Sequence, residues 1–205
     1  ENTANKGGGT CYDFSELEKM SAWAKENNLA YHLDGARVFN AMVAKGESPE
    51  QYGAIFDSIS ICLSKGLGCP VGSLILGTKD FIKQAKRVRK KFGGGWRQAG
   101  FLAATGIYAL DNHIERLAED HAKAKRLADA LQNASFVKEV IAPETNIVIF
   151  EIDSIINSDL FINKLNEKGI KIISMGDNKL RIVTHLDYTE EMHQAFLKIL
   201  NELKF

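Results

Sequence analysis

Short apolar-rich runs alternate with amphipathic helical patterns through the first part of this chain, and the alternation limits the folds open to it. Residues 58–63 and 71–76 have the length and composition of strands, and residues 29–33 form a shorter run of the same kind. Apolar runs of this type are typical of strands in mostly parallel sheets that helices cover on both faces. The pattern therefore predicts an α/β fold with three layers around a mostly parallel sheet.

Helical periodicity surrounds these strands, and the pattern changes in the second half of the chain. Predicted helices begin near residues 13, 38, 79 and 98, and the last of them continues to about residue 132 with a break near 111–112. Further strands are predicted at 137–141, 146–151, 170–174 and 180–183, with helices at 159–168 and 189–203. We therefore expect a boundary within residues 111–119, between a large domain (1–115) and a smaller α+β domain (116–205).

Charge and cysteine content narrow the possible partners. Lysine plus arginine and aspartate plus glutamate each number 26, so no net charge favours nucleic acid or an anionic membrane. The chain shows no apolar run of bilayer length and no signal-peptide pattern at its start. Cys11, Cys62 and Cys69 have no CxxC or metal-ligand spacing, and Cys62 and Cys69 fit buried core positions. These features favour a cytoplasmic protein without a bound metal.

An acid and a lysine follow two of the predicted strands. Asp34 directly follows the run 29–33, and Lys65 lies in the glycine-containing turn after the run 58–63. Ligands of open α/β sheets bind beyond the carboxyl ends of strands, where both side chains would lie. Pyridoxal 5′-phosphate (PLP) requires an acid that keeps its pyridine nitrogen protonated and a lysine that attaches to its aldehyde. We therefore expect a PLP site, with Lys65 as the catalytic residue.

The neighbours of these two residues support the same interpretation. Apolar residues flank Lys65, so we expect its side chain to be buried, and Gly66 and Gly68 allow a cofactor to approach the backbone. Ser64 could donate to the cofactor phosphate, and Arg37 could face the same crevice as Asp34. On its own, an aspartate in a turn or a solvated lysine is an ordinary surface feature. The hypothesis of a PLP site therefore depends on the occurrence of Asp34 and Lys65 together.

Three more basic residues are candidate anion ligands. Lys90 and Arg97 flank a triple-glycine loop before a predicted helix. The N-terminus of a helix favours the binding of a phosphate or carboxylate, and arginine binds such groups with two parallel hydrogen bonds. Arg181 lies on a predicted strand, and the period of two places it on the face opposite Leu180 and Ile182. For each of the three, a solvated surface position is the alternative.

Five segments, taken in order, resemble the threonine aldolases, which are PLP-dependent enzymes of fold type I, aspartate aminotransferase-like, in the beta-eliminating lyase family. The segments are Glu1-Asn2-Thr3, Asp34-Gly35-Ala36-Arg37, Cys62-Leu63-Ser64-Lys65-Gly66-Leu67, Gly93-Gly94-Gly95-Trp96-Arg97-Gln98-Ala99-Gly100 and Arg181-Ile182-Val183-Thr184-His185. The resemblance implies that an N-terminal portion, with the first strands and the phosphate loop, is absent from this chain. It also implies that this portion is needed to complete the fold.

The resemblance implies retro-aldol cleavage of a β-hydroxy-α-amino acid, threonine or allo-threonine, to glycine and an aldehyde. It assigns Asp34 to the pyridinium nitrogen and Arg37 to the cofactor ring and the substrate carboxylate. It also implies cofactor contacts for Ser64, Lys90 and Arg97, and a substrate-carboxylate contact for Arg181. A homodimer or homotetramer is implied, in which the loop around Arg97 reaches a neighbouring subunit's site.

Two departures from the resembling enzymes leave alternatives open. Ala4 stands where many of them have a histidine near the substrate hydroxyl, and Trp96 stands where a methionine is common. Another PLP-dependent lyase or a racemase on the same scaffold is therefore an alternative function. A non-catalytic fragment or interaction module is a second alternative, since the phosphate loop is expected to lie outside this chain.

Overall fold

The computed structural model of the chain describes residues 1–203 and divides into two compact units. The first unit contains Glu1–Ala4 and Cys11–Leu117, and the second contains Asn5–Thr10 together with the chain from Ala118 onward. Each unit has its own cluster of buried apolar side chains. The division after Leu117 lies within the interval 111–119, whereas the sequence pattern does not predict that Asn5–Thr10 belongs to the second unit.

The first unit combines helices with a small sheet. Its elements are, in chain order, α1 (Phe14–Glu26), β1 (His32–Gly35), α2 (Val38–Lys45), α3 (Pro49–Ile55), β2 (Ser58–Cys62), β3 (Ser73–Gly77), α4 (Lys79–Lys91) and α5 (Gly100–Asn112). The predicted helices near residues 13, 38, 79 and 98 are confirmed. Helix α3 is not predicted, although Ser48 and Gln51 form a capping box at its start and Pro49 occupies its first turn.

The sheet of the first unit is mixed, with strand order β1-β2-β3. Strands β1 and β2 are parallel, whereas β2 and β3 are antiparallel. A mostly parallel sheet can include an antiparallel strand, and β3 is antiparallel because the connection 63–72 contains no helix to carry the chain back across the sheet. The α/β class itself agrees with the observed elements.

Two sequence-based expectations for the strands also need correction. Strand β1 begins at His32 instead of residue 29, because Asn28 has a left-handed backbone (φ 55°) and residues 29–30 are exposed in the connection after α1. Strand β3 is not buried: Leu74, Ile75 and Leu76 are 39–44% exposed. Only β2 pairs with β3 in the described chain, so β3 is an edge strand there.

A buried hydrogen-bonded group ties the first residues of the chain to the first unit. The Tyr52 side chain is fully buried, and its hydroxyl donates to Glu47 Oε2 at 2.6 Å while accepting from Asn2 Nδ2 at 2.9 Å. Asn2 Oδ1 also accepts the backbone N–H groups of Thr3 and Tyr12. Burial raises the pKa of Tyr52, so its hydroxyl stays protonated and continues to donate to the Glu47 carboxylate.

The second unit packs helices on one four-stranded antiparallel sheet. Its elements are α6 (Leu117–Gln132), which begins at the boundary, β4 (Val137–Ile141), β5 (Ile147–Ile152), α7 (Ser158–Glu167), β6 (Ile173–Gly176), β7 (Lys179–Val183) and α8 (Glu190–Glu202). The sheet order is β4-β5-β7-β6. Every predicted element of this unit is confirmed, and β6 begins three residues after its predicted start.

The two faces of this sheet are buried in different ways. Val148, Phe150 and Leu180 belong to the apolar cluster shared with the helices. Ile147 and Ile149, which point to the other face, are also buried, and the glycine-rich segment Asn5–Thr10 lies against them. No helix among residues 1–203 has both the length and the hydropathy to span a membrane.

His193 on α8 is a fully buried titratable group of the second unit. Its Nδ1 lies 3.2 Å from Tyr188 Oη, and its Nε2 is buried with no hydrogen-bond partner among residues 1–203. Burial lowers the pKa of His193; Arg126 and Lys123 lower it further, and Glu190 opposes them. Its neutral form is therefore the one that fits the fold.

This lowered pKa predicts a pH dependence of stability. Because the unfolded chain binds a proton near pH ~6.5 and folded His193 binds it only at lower pH, the free energy of unfolding should decrease as pH falls below ~6.5. Urea unfolding followed by circular dichroism above and below that pH measures the decrease. His193→Gln should reduce it, and His185→Gln, at an exposed position, should not. An unchanged pH dependence in His193→Gln would contradict the assignment; burial also lowers the pKa of His121, so some dependence remains.

Candidate active site

The parallel pairing of β1 with β2 brings the two main candidate residues to one edge of the sheet. Asp34 lies opposite Ser60 and Gly35 lies opposite Ile61, so the carboxyl ends of both strands point the same way. Asp34 is the penultimate residue of β1, and Ser64 and Lys65 follow the end of β2. The first unit therefore presents an acid and an amine beyond neighbouring strand ends, as the sequence predicts.

Asp34 is held by its own turn and remains open to solvent. Its Oδ1 accepts the backbone N–H of Ala36 at 3.1 Å, and its side chain is exposed. His32 lies on the same strand face and contacts Ser58 Oγ through Nδ1 at 2.8 Å, consistent with a hydrogen-bonded supporting group. Arg37 is half-buried immediately before α2. Asp34 is thus fixed by the backbone while its carboxylate can still contact a ligand.

The loop that carries Lys65 is closed by backbone hydrogen bonds. Gly68 N–H donates to Lys65 O at 2.9 Å, and Cys69 N–H donates to Leu63 O at 3.1 Å. Gly68 has a positive φ of 74°, which glycine adopts without strain. The side chains of Ser64 and Lys65 are both exposed, so the predicted burial of Lys65 was wrong for this chain. Leu63 and Leu67 occupy the buried positions on either side, which leaves the lysine at the surface.

Two of the cysteines in this region stay consistent with a structural role. Cys69 is buried and Cys62 is half-buried, so the predicted core position holds fully for Cys69 and only partly for Cys62. None of the three cysteines forms a disulfide within residues 1–203. No group of three or more histidine, cysteine or acidic side chains in the described part of the chain could hold a metal ion.

Lys90 and Arg97 lie on an exposed basic segment of the first unit. Lys90 belongs to the last turn of α4, where it packs over Gly95, and a Cβ on Gly95 would lie 2.8 Å from Lys90 Nζ. Arg97 is exposed in the loop between α4 and α5. Neither cation forms a hydrogen bond or ion pair with Asp34 within residues 1–203. Trp96 is also exposed, which excludes a core role in this chain.

Arg181 belongs to the second unit and is partly buried on β7. It pairs across the sheet with Ile149 and Ile173, opposite in direction to buried Leu180, as the period of two predicts. Its Nη1 donates to Asn5 Oδ1 at 2.5 Å. Its Nε is buried and has no hydrogen-bond partner in the part of the chain that the structure describes. An unpaired buried donor of a charged group is costly, which makes this guanidinium a candidate for binding an anion.

Arg181 also lines a cavity of about 730 Å³ within the second unit. Apolar residues form most of the wall, and none of the lining residues is acidic. The basic and histidine residues of the lining are Lys168, Lys171, Arg181 and His185. Ile182, Phe196 and Ile199 of this lining belong to the apolar cluster on the helix-covered face, opposite the face to which the Arg181 side chain points.

Sequence reasoning identified Arg181 but missed Asn5 as its partner. The two residues are far apart in the chain, and no periodic pattern connects them. A signal was nevertheless present: the run Gly7-Gly8-Gly9 follows Asn5, and such a run is suited to backbone lying flat against another element. Asp34, Ser64 and Lys65 therefore lie in the first unit, whereas Asn5 and Arg181 lie in the second.

A comparison with protein families shows what this chain is similar to. Residues 1–154 match the family model described as beta-eliminating lyase. A low-specificity L-threonine aldolase from Arabidopsis thaliana is 40% identical over 192 residues, which cover 92% of this chain and 54% of that protein. The Escherichia coli K12 low specificity L-threonine aldolase is 42% identical over 193 residues, which cover 93% of this chain and 55% of that protein.

The structural comparison agrees with the sequence comparison. The structure of a Leishmania major threonine aldolase superposes with a TM-score of 0.78 at 22% identity, covering 98% of this chain and 59% of that one. At this identity the likeness establishes the fold, which is that of the PLP-dependent fold type I enzymes. The chain spans about half the length of the curated relatives it matches.

Proposed function

Because the chain belongs to the beta-eliminating lyase family, we propose that it forms part of a PLP-dependent carbon–carbon lyase. The substrate is a β-hydroxy-α-amino acid, threonine or allo-threonine, and the products are glycine and an aldehyde. Asp34 and Lys65 beyond the carboxyl ends of two parallel neighbouring strands are the observation that carries the proposal. The first unit forms part of the cofactor-binding large domain, and the second unit, which includes Asn5–Thr10, forms the small domain.

The residues at the end of β1 and β2 suit PLP by their chemistry. The exposed Asp34 carboxylate can pair with a protonated pyridine nitrogen, and the exposed Lys65 amine can attach to the aldehyde. Ser64 can donate to the phosphate, Arg37 can lie beside the ring, and Lys90 and Arg97 supply further cations. When bound, PLP withdraws electrons from the α-carbon of an attached amino acid, which allows the Cα–Cβ bond to break.

Arg181 is proposed to hold the substrate carboxylate. A carboxylate that accepts from Nε would give this buried donor the partner it lacks among residues 1–203. Holding the carboxylate in one place selects which bond to the α-carbon is aligned for cleavage. Arg181 would therefore contribute to the choice of reaction as well as to affinity, with Arg37 as a second residue near the carboxylate.

The group that takes the proton from the substrate hydroxyl lies elsewhere than position 4. Ala4 has no proton acceptor, in contrast to the histidine common in the resembling enzymes. This feature favours a second candidate function, β-elimination or racemisation on the same scaffold. Release of an aldehyde from threonine supports the aldolase proposal, whereas release of pyruvate and ammonia from serine without aldehyde formation supports β-elimination.

The proposal includes a symmetric homodimer or homotetramer in the cytoplasm. The exposed cations Lys90 and Arg97 are better explained if a phosphate or carboxylate of a neighbouring subunit's site accepts hydrogen bonds from them. The exposed strand β3 is an edge that a complete enzyme would cover. The absence of disulfides among the three cysteines, within the part of the chain that the structure describes, agrees with a reducing compartment.

Covalent labelling tests the role of Lys65. Borohydride reduction of the complete protein with PLP, followed by peptide mapping, should place the pyridoxyl group on Lys65, because its loop follows β2 at the edge of the sheet where β1 ends with Asp34 and Gly35. Lys65→Arg should abolish this label, and Lys79→Arg should leave it unchanged. A pyridoxyl group on Lys79 or Lys90 in the unsubstituted protein would refute the assignment.

Substitution of Asp34 tests the acid. Asp34→Asn retains an acceptor for the Ala36 N–H but loses the charge, so cofactor should still bind while activity falls. If the ion pair contributes about 3 kcal/mol, kcat falls by roughly two orders of magnitude. Asp57→Asn is the matched control, because Asp57 also accepts a backbone N–H but lies before β2, at the other end of that strand. Equal activity of Asp34→Asn and the parent protein would show that Asp34 serves only the turn and has no catalytic role.

A mixed dimer tests whether sites are shared between subunits. In a purified mixed dimer, Arg97→Ala in one subunit and Lys65→Ala in the other leave one intact composite site, so this dimer should have about half of the parent activity. The purified mixed dimer of Arg87→Ala with Lys65→Ala is the control and should also have about half, because Arg87 is assigned no site role. No recovery with Arg97→Ala, when the control pair recovers, would show that Arg97 serves its own subunit's site.

A further inference from the structure

We propose that the segment Asn5–Thr10, named here the glycine strap, orients the guanidinium of Arg181. Asn5 is the positioning residue that touches Arg181, and Thr145 fixes the other end of the strap. This inference rests on the proposed function, because the benefit of orienting Arg181 is tighter binding of the substrate carboxylate. It adds two residues to the carboxylate site, neither of which the sequence pattern or the family resemblance singles out.

The contact with Arg181 is short and partly buried. Arg181 Nη1 donates to Asn5 Oδ1 at 2.5 Å, and Arg181 lies on the sheet face that the strap covers, beside Ile149. The guanidinium is planar, so a hydrogen bond to one nitrogen restricts the plane of the whole group. Because Nη1 is used by Asn5, the Nε side of the group is available for another acceptor. Nε is buried and has no partner within residues 1–203.

The strap can lie on the sheet only because it consists largely of glycine. Gly8 and Gly9 have φ values of 77° and 72°, a conformation that L side chains rarely adopt. A Cβ on Gly9 would lie 2.3 Å from Thr145 Oγ1, and a Cβ on Gly8 would lie 3.5 Å from Ile149 Cδ1. Close approach to the backbone therefore sets the distance between the strap and β5.

Thr145 holds the far end of the strap in place. Its buried Oγ1 donates to Gly9 O at 2.7 Å. The strap is also closed on itself, since Gly8 N–H donates to Asn5 O at 3.4 Å. With one end bound at Thr145 and the glycine backbone pressed against Ile147 and Ile149, Asn5 has little freedom to move away from Arg181. Loss of either contact should leave the guanidinium free to sample other orientations.

Steady-state kinetics of the full-length PLP-loaded enzyme with threonine test this arrangement. Asn5→Leu has a similar shape but no acceptor, and we expect it to raise KM roughly tenfold and to lower kcat by a smaller factor, because a loosely held carboxylate aligns the bond to be cleaved less well. Asn5→Asp keeps an acceptor oxygen and should retain a KM closer to that of the parent than Asn5→Leu does. Thr145→Val removes the distant hydroxyl with little change of shape, and it should raise KM in the same direction by a smaller factor.

A control separates positioning from stability. Asn157 caps α7 in the same unit through the N–H groups of Asp159 and Leu160, and it has no contact with the strap. Asn157→Ala should lower the thermal midpoint of the protein without raising KM. A rise in KM for Asn157→Ala equal to that for Asn5→Leu would overturn the proposal, because stability alone would then explain it.

A spectroscopic readout tests the hydrogen bond independently of activity. In protein labelled with ¹⁵N-arginine, Arg181→Lys identifies the Arg181 signals by their loss. Slow rotation of the guanidinium in the parent protein, and faster rotation in Asn5→Leu, are the expected results, because Asn5 restrains Nη1. Equal rotation rates in the two proteins would overturn the strap proposal.

The substitutions Arg181→Lys and Asn5→Leu distinguish an error in the strap proposal from an error in the proposed substrate role of Arg181. If Arg181→Lys leaves KM unchanged, the role of Arg181 in substrate binding is wrong, and the strap is overturned as part of the carboxylate site even if rotation is restrained. If Arg181→Lys raises KM but Asn5→Leu does not, the substrate role of Arg181 stands and the strap alone is refuted. A rise in KM for both substitutions, with faster rotation in Asn5→Leu, supports both.

Discussion

The close parallel pairing of β1 with β2 is the constraint on which the candidate site depends. A Cβ on Gly35 would lie 2.6 Å from Ser60 O, a distance that backbone cannot easily relax, so glycine is required where the strands approach. This register sets Asp34 opposite Ser60 and brings the turn with Lys65 to the same edge. A shift of one residue would turn Asp34 towards the buried side of the strand, now occupied by Leu33 and Gly35.

Backbone contacts, more than side-chain contacts, hold the functional candidates of the first unit. Asp34 accepts from Ala36 N–H, and the loop of Lys65 is closed by N–H groups of Gly68 and Cys69. The carboxylate and the amine are therefore positioned while both side chains stay exposed. Such an arrangement suits residues that must contact a cofactor, since the exposed carboxylate and the exposed amine remain accessible to it.

The second unit uses a different solution, in which a short segment from early in the chain completes it. Ile147 and Ile149 would present an apolar face to water, but the glycine strap covers them and brings Asn5 to Arg181. The same segment therefore buries Ile147 and Ile149 and contacts the guanidinium of Arg181. The strap thus joins the stability of the small domain to the geometry of its proposed carboxylate site.

Local pattern in the sequence was sufficient for the α/β class, for the elements of the second unit and for placing Asp34 and Lys65 at the ends of neighbouring strands, because periodicity and turn residues act over short distances. It was insufficient for the antiparallel direction of β3, which depends on how the loop 63–72 crosses the sheet. The exposure of Lys65 also required the structure, since only packing shows that Leu63 and Leu67 take the buried positions. The hydrogen bond from Arg181 to Asn5 joins residues that lie near opposite ends of the chain, and only the folded sheet brings them together.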